Sequence, residues 1–186
     1  NANDGNAWPG VGNGPAPDGS DPGSTRVVLG FDDLEGQPPP FLEGTRVQPD
    51  VLIDTRYSHL GVVFDAPGGG IFVAKSRSSS ASPPNAAGST SPGPLISYSD
   101  TITATFLVGD APASAGYLSL HTSVSSTVRF YSPGGVSSGT GRTFIVTSGS
   151  GIHSVQIDLG PLGLLDDFAF PDLRAVQGFA LSPLLP

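Results

Sequence analysis

From Thr25 onward the chain alternates apolar and polar positions with a period of two. Val27, Leu29 and Phe31 fall on one face of a run from Thr25 to Leu34, and Ile102, Ala104, Phe106 and Val108 alternate with Thr101, Thr103 and Thr105. Successive side chains of a strand point to opposite faces, so both runs read as half-buried strands. Weaker runs of the same kind lie at 46–53, 60–65, 71–75, 116–122, 127–131, 142–147, 152–159, 164–170 and 176–181. Pro67-Gly68-Gly69-Gly70 and Pro133-Gly134-Gly135 separate neighbouring runs, because glycine reaches positive φ without steric cost. No segment holds a 3.6-residue period over three turns; residues 172–179 predict one short helix after Pro171.

These elements predict an all-β fold, a two-sheet antiparallel β-sandwich of jelly-roll type with an extended N-terminal tail. Composition agrees: 26 Gly, 19 Pro and only 13% charged residues favour short strands joined by many turns. The 186 residues suit one domain with a full core. Residues 1–24 stand apart, being almost entirely Asn, Gly, Pro, Asp, Ala and Ser, with Trp8 and Val11 the only larger apolar side chains. Such a segment buries too little surface to order itself. The expected organisation is therefore a tail over 1–24 and a sandwich domain over 25–186. The tail would gain order only against its own domain or a neighbouring subunit, with Trp8 and Val11 as its partner-binding side chains. The polar stretch 76–94 reads as a long loop with nothing to anchor it in a core; loops of that length are usually functional or disordered.

Charge narrows the partners. Sixteen acidic residues against eight basic ones give a net charge of -8, which repels a phosphate backbone and argues against nucleic acid or an anionic membrane surface. Cations are the natural counterpart. The chain has no Cys, so neither a disulfide framework nor a thiolate site is available. It opens on Asn1-Ala2-Asn3-Asp4 without Met, as a secreted product does after removal of a signal peptide. No run of about 18 apolar residues occurs, so no membrane span is expected.

The most distinctive feature is an echo. Phe31-Asp32-Asp33-Leu34 near the start of the patterned region is answered by Leu165-Asp166-Asp167-Phe168 near its end. Each sets two carboxylates inside an apolar, strand-like run, where an unpaired ionised group costs several kcal/mol. A bound cation, calcium above all, would resolve the conflict, with carbonyls or further carboxylates such as Asp65 or Asp158 completing six to eight oxygens. The bland alternative is that each pair caps a strand at a solvated sheet edge. Catalytic patterns are weaker. His59, His121 and His153 fall on separate predicted strands, no HExxH or GxSxG occurs, and Glu35 and Glu43 sit in a Pro-rich loop. The expectation is a protein that is not an enzyme.

FDDL, ISYSDTITATF, GIHSVQIDL and LLDDFAF together resemble the secreted bacterial jelly-roll modules of surface and exosortase-sorted proteins, over roughly Arg26 to Phe170. Such modules, and similar carbohydrate-binding modules, commonly hold a structural calcium between an acidic residue of the first strand and one of the last. The resemblance therefore implies calcium between Asp32 or Asp33 and Asp166 or Asp167. Two functions are expected to compete. One is a structural or adhesive subunit of an extracellular surface or fibre, a homo-oligomer or filament joined through the tail. The other is a calcium-stabilised module binding polysaccharide, with Trp8, Tyr57, Tyr98, Tyr117 and Tyr131 as candidate stacking rings.

Overall fold

The computed structural model describes residues 12–15, 25–33, 52–67, 70–75, 85–89, 101–160 and 163–174. Eleven strands run through them: β1 (Gly12–Pro15), β2 (Thr25–Leu29), β3 (Val62–Asp65), β4 (Ile71–Lys75), β5 (Asn85–Ser89), β6 (Thr101–Val108), β7 (Ala111–Pro112), β8 (Ala115–Ser132), β9 (Gly135–Ile152), β10 (Ser154–Asp158) and β11 (Leu165–Pro171). A 3-10 turn spans Ser58–Leu60. The all-β expectation holds. The main path of neighbours is β1-β2-β11-β8-β10-β6-β3, every pair antiparallel, with β9 on β8, β7 on β6, and the β4–β5 hairpin joining at β11. The sheet nearly closes on itself in a barrel-like shape.

The long hairpin β8–β9 produces that curvature. On one flank β8 pairs with β9 along its length; on the other, residues near 119–122 meet β11, whereas 127–131 meet β10. Between His121↔Thr143 and Ser126↔Gly141 the β8 side carries extra residues. Such a bulge bends the strand and lets it pass from one half of the sheet to the other. The hairpin turns at Pro133 and Gly134, with Gly135 at φ 123°, a conformation that a side chain would strain.

Strand β6 behaves as its pattern predicts, with Ile102, Ala104 and Phe106 fully buried and the threonines between them half-buried. Strand β2 does not: Val28 is buried along with Val27 and Leu29. Strand β11 is buried at all seven positions, Asp166 and Asp167 included. Strands β2 and β11 are therefore covered on both faces, unlike β6. Phe31, Tyr57, Phe64, Phe168, Phe106 and Phe170 form a continuous ring cluster, with neighbouring centroids 5.2–6.3 Å apart.

Three expectations change. The stretch 76–94 contains β5, wholly buried and paired with β4 from Lys75↔Asn85 to Ile71↔Ser89. Its sequence NAAGS has no large apolar residue and so gives no periodic signal, yet small side chains fit where layers approach closely. In the 46–53 run, Leu52 and Ile53 are outside any strand; Ile53 is a core residue whose N–H donates to the Ile71 carbonyl at 2.9 Å. The rest of that run and all of 176–181 lie outside the described residues. Finally, Gly12–Pro15 of the tail is a strand on the chain's own sheet, in register with β2 from Gly12↔Val28 to Pro15↔Thr25. After Pro171 a helical turn begins at Leu173 and Arg174, where Asp172 Oδ1 accepts the Arg174 N–H at 3.1 Å, a capping contact.

Candidate functional site

The two acidic doublets lie where β11 changes partner. Residues Phe168 to Pro171 pair with Leu29 to Arg26 of β2, whereas Leu165 pairs with Ala87 of β5. Strand β2 ends at Leu29, and the chain turns away through Phe31, Asp32 and Asp33 beside the start of β11. Both doublets mark a backbone irregularity: Phe31 has φ 59° and Asp167 φ 46°. Left-handed backbone at such residues costs about 1–3 kcal/mol. Burial of the flanking rings offsets it, since Phe31 and Phe168 are both fully buried and each contacts Phe64. At Asp167 the register between β11 and β8 slips by one residue, from Asp166↔His121 to Ala169↔Ser119. The FDDL/LDDF echo thus marks a turn after β2 and a bulge within β11, each next to a buried aromatic ring.

Asn85 fastens the junction. It is 2% exposed and donates from Nδ2 to the Phe31 carbonyl at 3.0 Å, tying the exit of β2 to β5. Asp166 Oδ1 accepts the Asp167 N–H at 2.8 Å, and both aspartates are buried, at 1% and 2% exposure. Asp32 is half-buried. Asp33 points elsewhere: its Oδ1 accepts the Tyr57 hydroxyl at 2.6 Å and its Oδ2 pairs with Arg56 Nε at 3.0 Å. Burial, followed by the hydrogen bond and negative charge of Asp33, pushes the Tyr57 phenol well above its ordinary range. Across the sheet, His121 stands opposite both Asp166 and Thr143, and its Nδ1 shares a hydrogen bond with Thr143 Oγ1 at 3.0 Å.

The fold thus buries Asp166 and Asp167 at the start of β11, leaves Asp32 half-buried beside the Phe31 carbonyl that Asn85 ties down, and commits Asp33 to Arg56 and Tyr57. Asp65 and Asp158 are distant from it in the topology: they are exposed at the ends of β3 and β10, both of which pair with β6. Among the described residues no group of three or more His, Cys, Asp or Glu is arranged to hold a metal ion. Trp8, Val11, Glu35, Glu43 and Tyr98 lie outside the described residues. Tyr57 and Tyr117 are core residues, and Tyr131 is half-buried with its hydroxyl on Gln156 Oε1 at 2.9 Å. His59, His121 and His153 occupy the 3-10 turn, β8 and the step between β9 and β10.

Sequence reasoning missed Asn85, Arg56 and Tyr57 as partners of the doublets, because contacts across 23, 24 and 54 residues leave no local pattern. A second recess is an open groove of about 380 Å³ lined by Ser58, His59, Leu107, Asp110 and Arg174 among others. Its one guanidinium is already engaged: Arg174 donates to Asp172 through Nε at 2.9 Å and Nη2 at 2.8 Å, and to the His59 carbonyl at 3.1 Å. The hydrogen bonds to Asp172 raise its pKa further. No helix among the described residues is long and apolar enough to cross a membrane. No protein-family model matches the chain, and no curated protein or solved structure matches it.

Proposed function

We propose that the protein is a non-catalytic structural or adhesive subunit of an extracellular surface, built on a jelly-roll sandwich, that assembles by adding its N-terminal strand to a neighbour's sheet. The observation that carries this reading is the pairing of Gly12–Pro15 with the outer edge of β2. That edge accepts a strand from the tail, so β2 of a second copy offers the same register to the same segment. The pairing is weak on backbone grounds. Ordering four residues costs about 4–8 kcal/mol at 1–2 kcal/mol each, whereas each net hydrogen bond returns about 0.5–1.5 kcal/mol. Gly, Asn and Pro are also poor strand formers, and Pro15 has no N–H to donate. A strand held so lightly exchanges readily, with Trp8 and Val11 as the apolar side chains that would grip the neighbour.

The same reading includes calcium at the junction of β2, β5 and β11, bound by Asp32 with Asp166 or Asp167 and completed by backbone carbonyls, since no group of three such side chains is arranged for a metal among the described residues. Burial of Asp166 and Asp167 and the net charge of -8 support it. Secretion is supported by the motif resemblance alone. In the alternative, a calcium-stabilised carbohydrate-binding module, burial of Tyr57 and Tyr117 leaves Trp8, Tyr98 and Tyr131 as stacking rings.

Light scattering and electron microscopy of the full chain, beside Asn13→Pro, test the assembly. Proline at position 13 removes a backbone N–H from β1. Growth into filaments or large oligomers by the wild type, and its loss in the variant, is the expected result. Equal growth by both chains, or none by either, would refute tail-mediated assembly.

A further inference from the structure

Strand β9 is 18 residues long and, among the described residues, pairs only with β8. No described residue pairs with its other edge. Exposed strand edges are ordinarily blunted by charge, proline or a bulge, since a free row of N–H and C=O groups templates pairing with another chain. Here the protection is sparse: Arg142 is the one charged residue from Gly135 to Ile152, and no proline occurs in that span. The register with β8 is regular from Thr143 to Thr147 and irregular on either side. Within this stretch Phe144 and Val146 pack towards the core, so Thr143, Ile145 and Thr147 form the outward face; Ile145 is 68% exposed.

We infer that this segment is a homotypic docking edge, on which a second copy pairs antiparallel about a two-fold axis through Ile145. The sequence is self-complementary in that register. Ile145 faces its own counterpart, each Thr143 faces a Thr147, and each Phe144 faces a Val146. Apolar contact at the centre flanked by Thr–Thr pairs is a favourable cross-strand set. Each Arg142 falls opposite Ser148 of the other copy, so the two guanidiniums sit at opposite ends. Charge selects the same place. Two chains of net charge -8 repel over most of their surfaces, and an edge without a carboxylate is where they approach at least cost. An isologous contact closes at two copies, unlike strand addition by the tail, and it does not depend on that addition.

The chain contains no cysteine, so Ile145→Cys introduces a single thiol on the proposed axis. Directly opposed residues of antiparallel strands have Cα atoms about 4.5–5.5 Å apart, within disulfide reach. Val136→Cys, at a position equally open to solvent on the same strand (61% exposed), is the control, because the register gives it no opposing copy of itself. Under mild oxidation Ile145→Cys should cross-link to a dimer about ten-fold faster than Val136→Cys, and equally fast when combined with Asn13→Pro. Sedimentation of Ile145→Lys, which opposes two like charges, should show a dimer dissociation constant raised about ten-fold or more relative to wild type. Equal cross-linking rates at positions 145 and 136, or unchanged sedimentation of Ile145→Lys, would overturn the inference. Loss of the rapid cross-link in Asn13→Pro would overturn its independence from the tail.

Discussion

Replacing Tyr57 with Phe deletes one oxygen and leaves the ring in place. The ring lies 5.8 Å from Phe31 and 6.3 Å from Phe64 and is 1% exposed, so no cavity opens. What is lost is the 2.6 Å hydrogen bond to Asp33. A hydrogen bond to a charged group contributes about 1.5–3 kcal/mol. Asp33 keeps Arg56 and is 30% exposed at its side chain, so water can satisfy the vacated oxygen and the lower end applies. The expected loss at pH 7 is about 1.5 kcal/mol, or about 3–6 °C in Tm for a domain of this size. Alkaline pH should close the difference. The folded pKa of Tyr57 is raised by burial and by Asp33, so the stability tied to its protonated form is complete below the unfolded pKa of about 10. Above that pH the unfolded state releases a proton that the folded state retains, and stability falls by about 1.4 kcal/mol per pH unit. Near pH 11 the wild type and Tyr57→Phe should therefore be equally stable. Urea titrations of both chains at pH 7, 10 and 11 provide the assay. Parallel stability curves through pH 11, or no difference at pH 7, would refute the reasoning.

Phe168→Ala should cost about 3–5 kcal/mol in chemical denaturation, since it empties the centre of a ring cluster that also holds Phe31 and Asp167 in left-handed backbone; a loss below about 1 kcal/mol would show that the cluster does not hold these turns. Asn85→Leu should cost about 1–3 kcal/mol by leaving the buried Phe31 carbonyl without its donor, and amide exchange near Gly30 should quicken if this bond fixes the exit of β2. Calcium at about 100 times its Kd should add about 2.7 kcal/mol of stability to the wild type and nothing to Asp167→Asn; identical melts in calcium and chelator would remove calcium from the account. Asp172→Ala should cost no more than about 1 kcal/mol, because Arg174 is 45% exposed and the pair is partly screened by water.

Two runs were legible in the sequence to the residue, Thr101–Val108 and Ile71–Lys75, whereas the alternating run 25–34 is a strand only as far as Leu29. Runs 116–122 and 127–131 were recognised as separate strands but are one bent strand, β8. The bend was hidden because a bulge is a property of the pairing, not of the residues within it. Strand β5 was invisible because Asn85, Ala86, Ala87, Gly88 and Ser89 lack large apolar side chains, and only the space between neighbouring strands decides that they are buried.

The sequence alone determined the all-β class, many of the alternating core positions and the presence of two matched acidic doublets, because these follow from local periodicity and residue chemistry. Which carboxylates meet was a tertiary decision. Asp33 belongs to Arg56 and Tyr57, whereas Asp166 and Asp167 belong to a buried junction with Asn85. Pairing β11 with β2 over part of its length and with β5 beyond places these groups, and residues 78 to 145 positions apart in the chain carry no record of that choice in their own neighbourhoods.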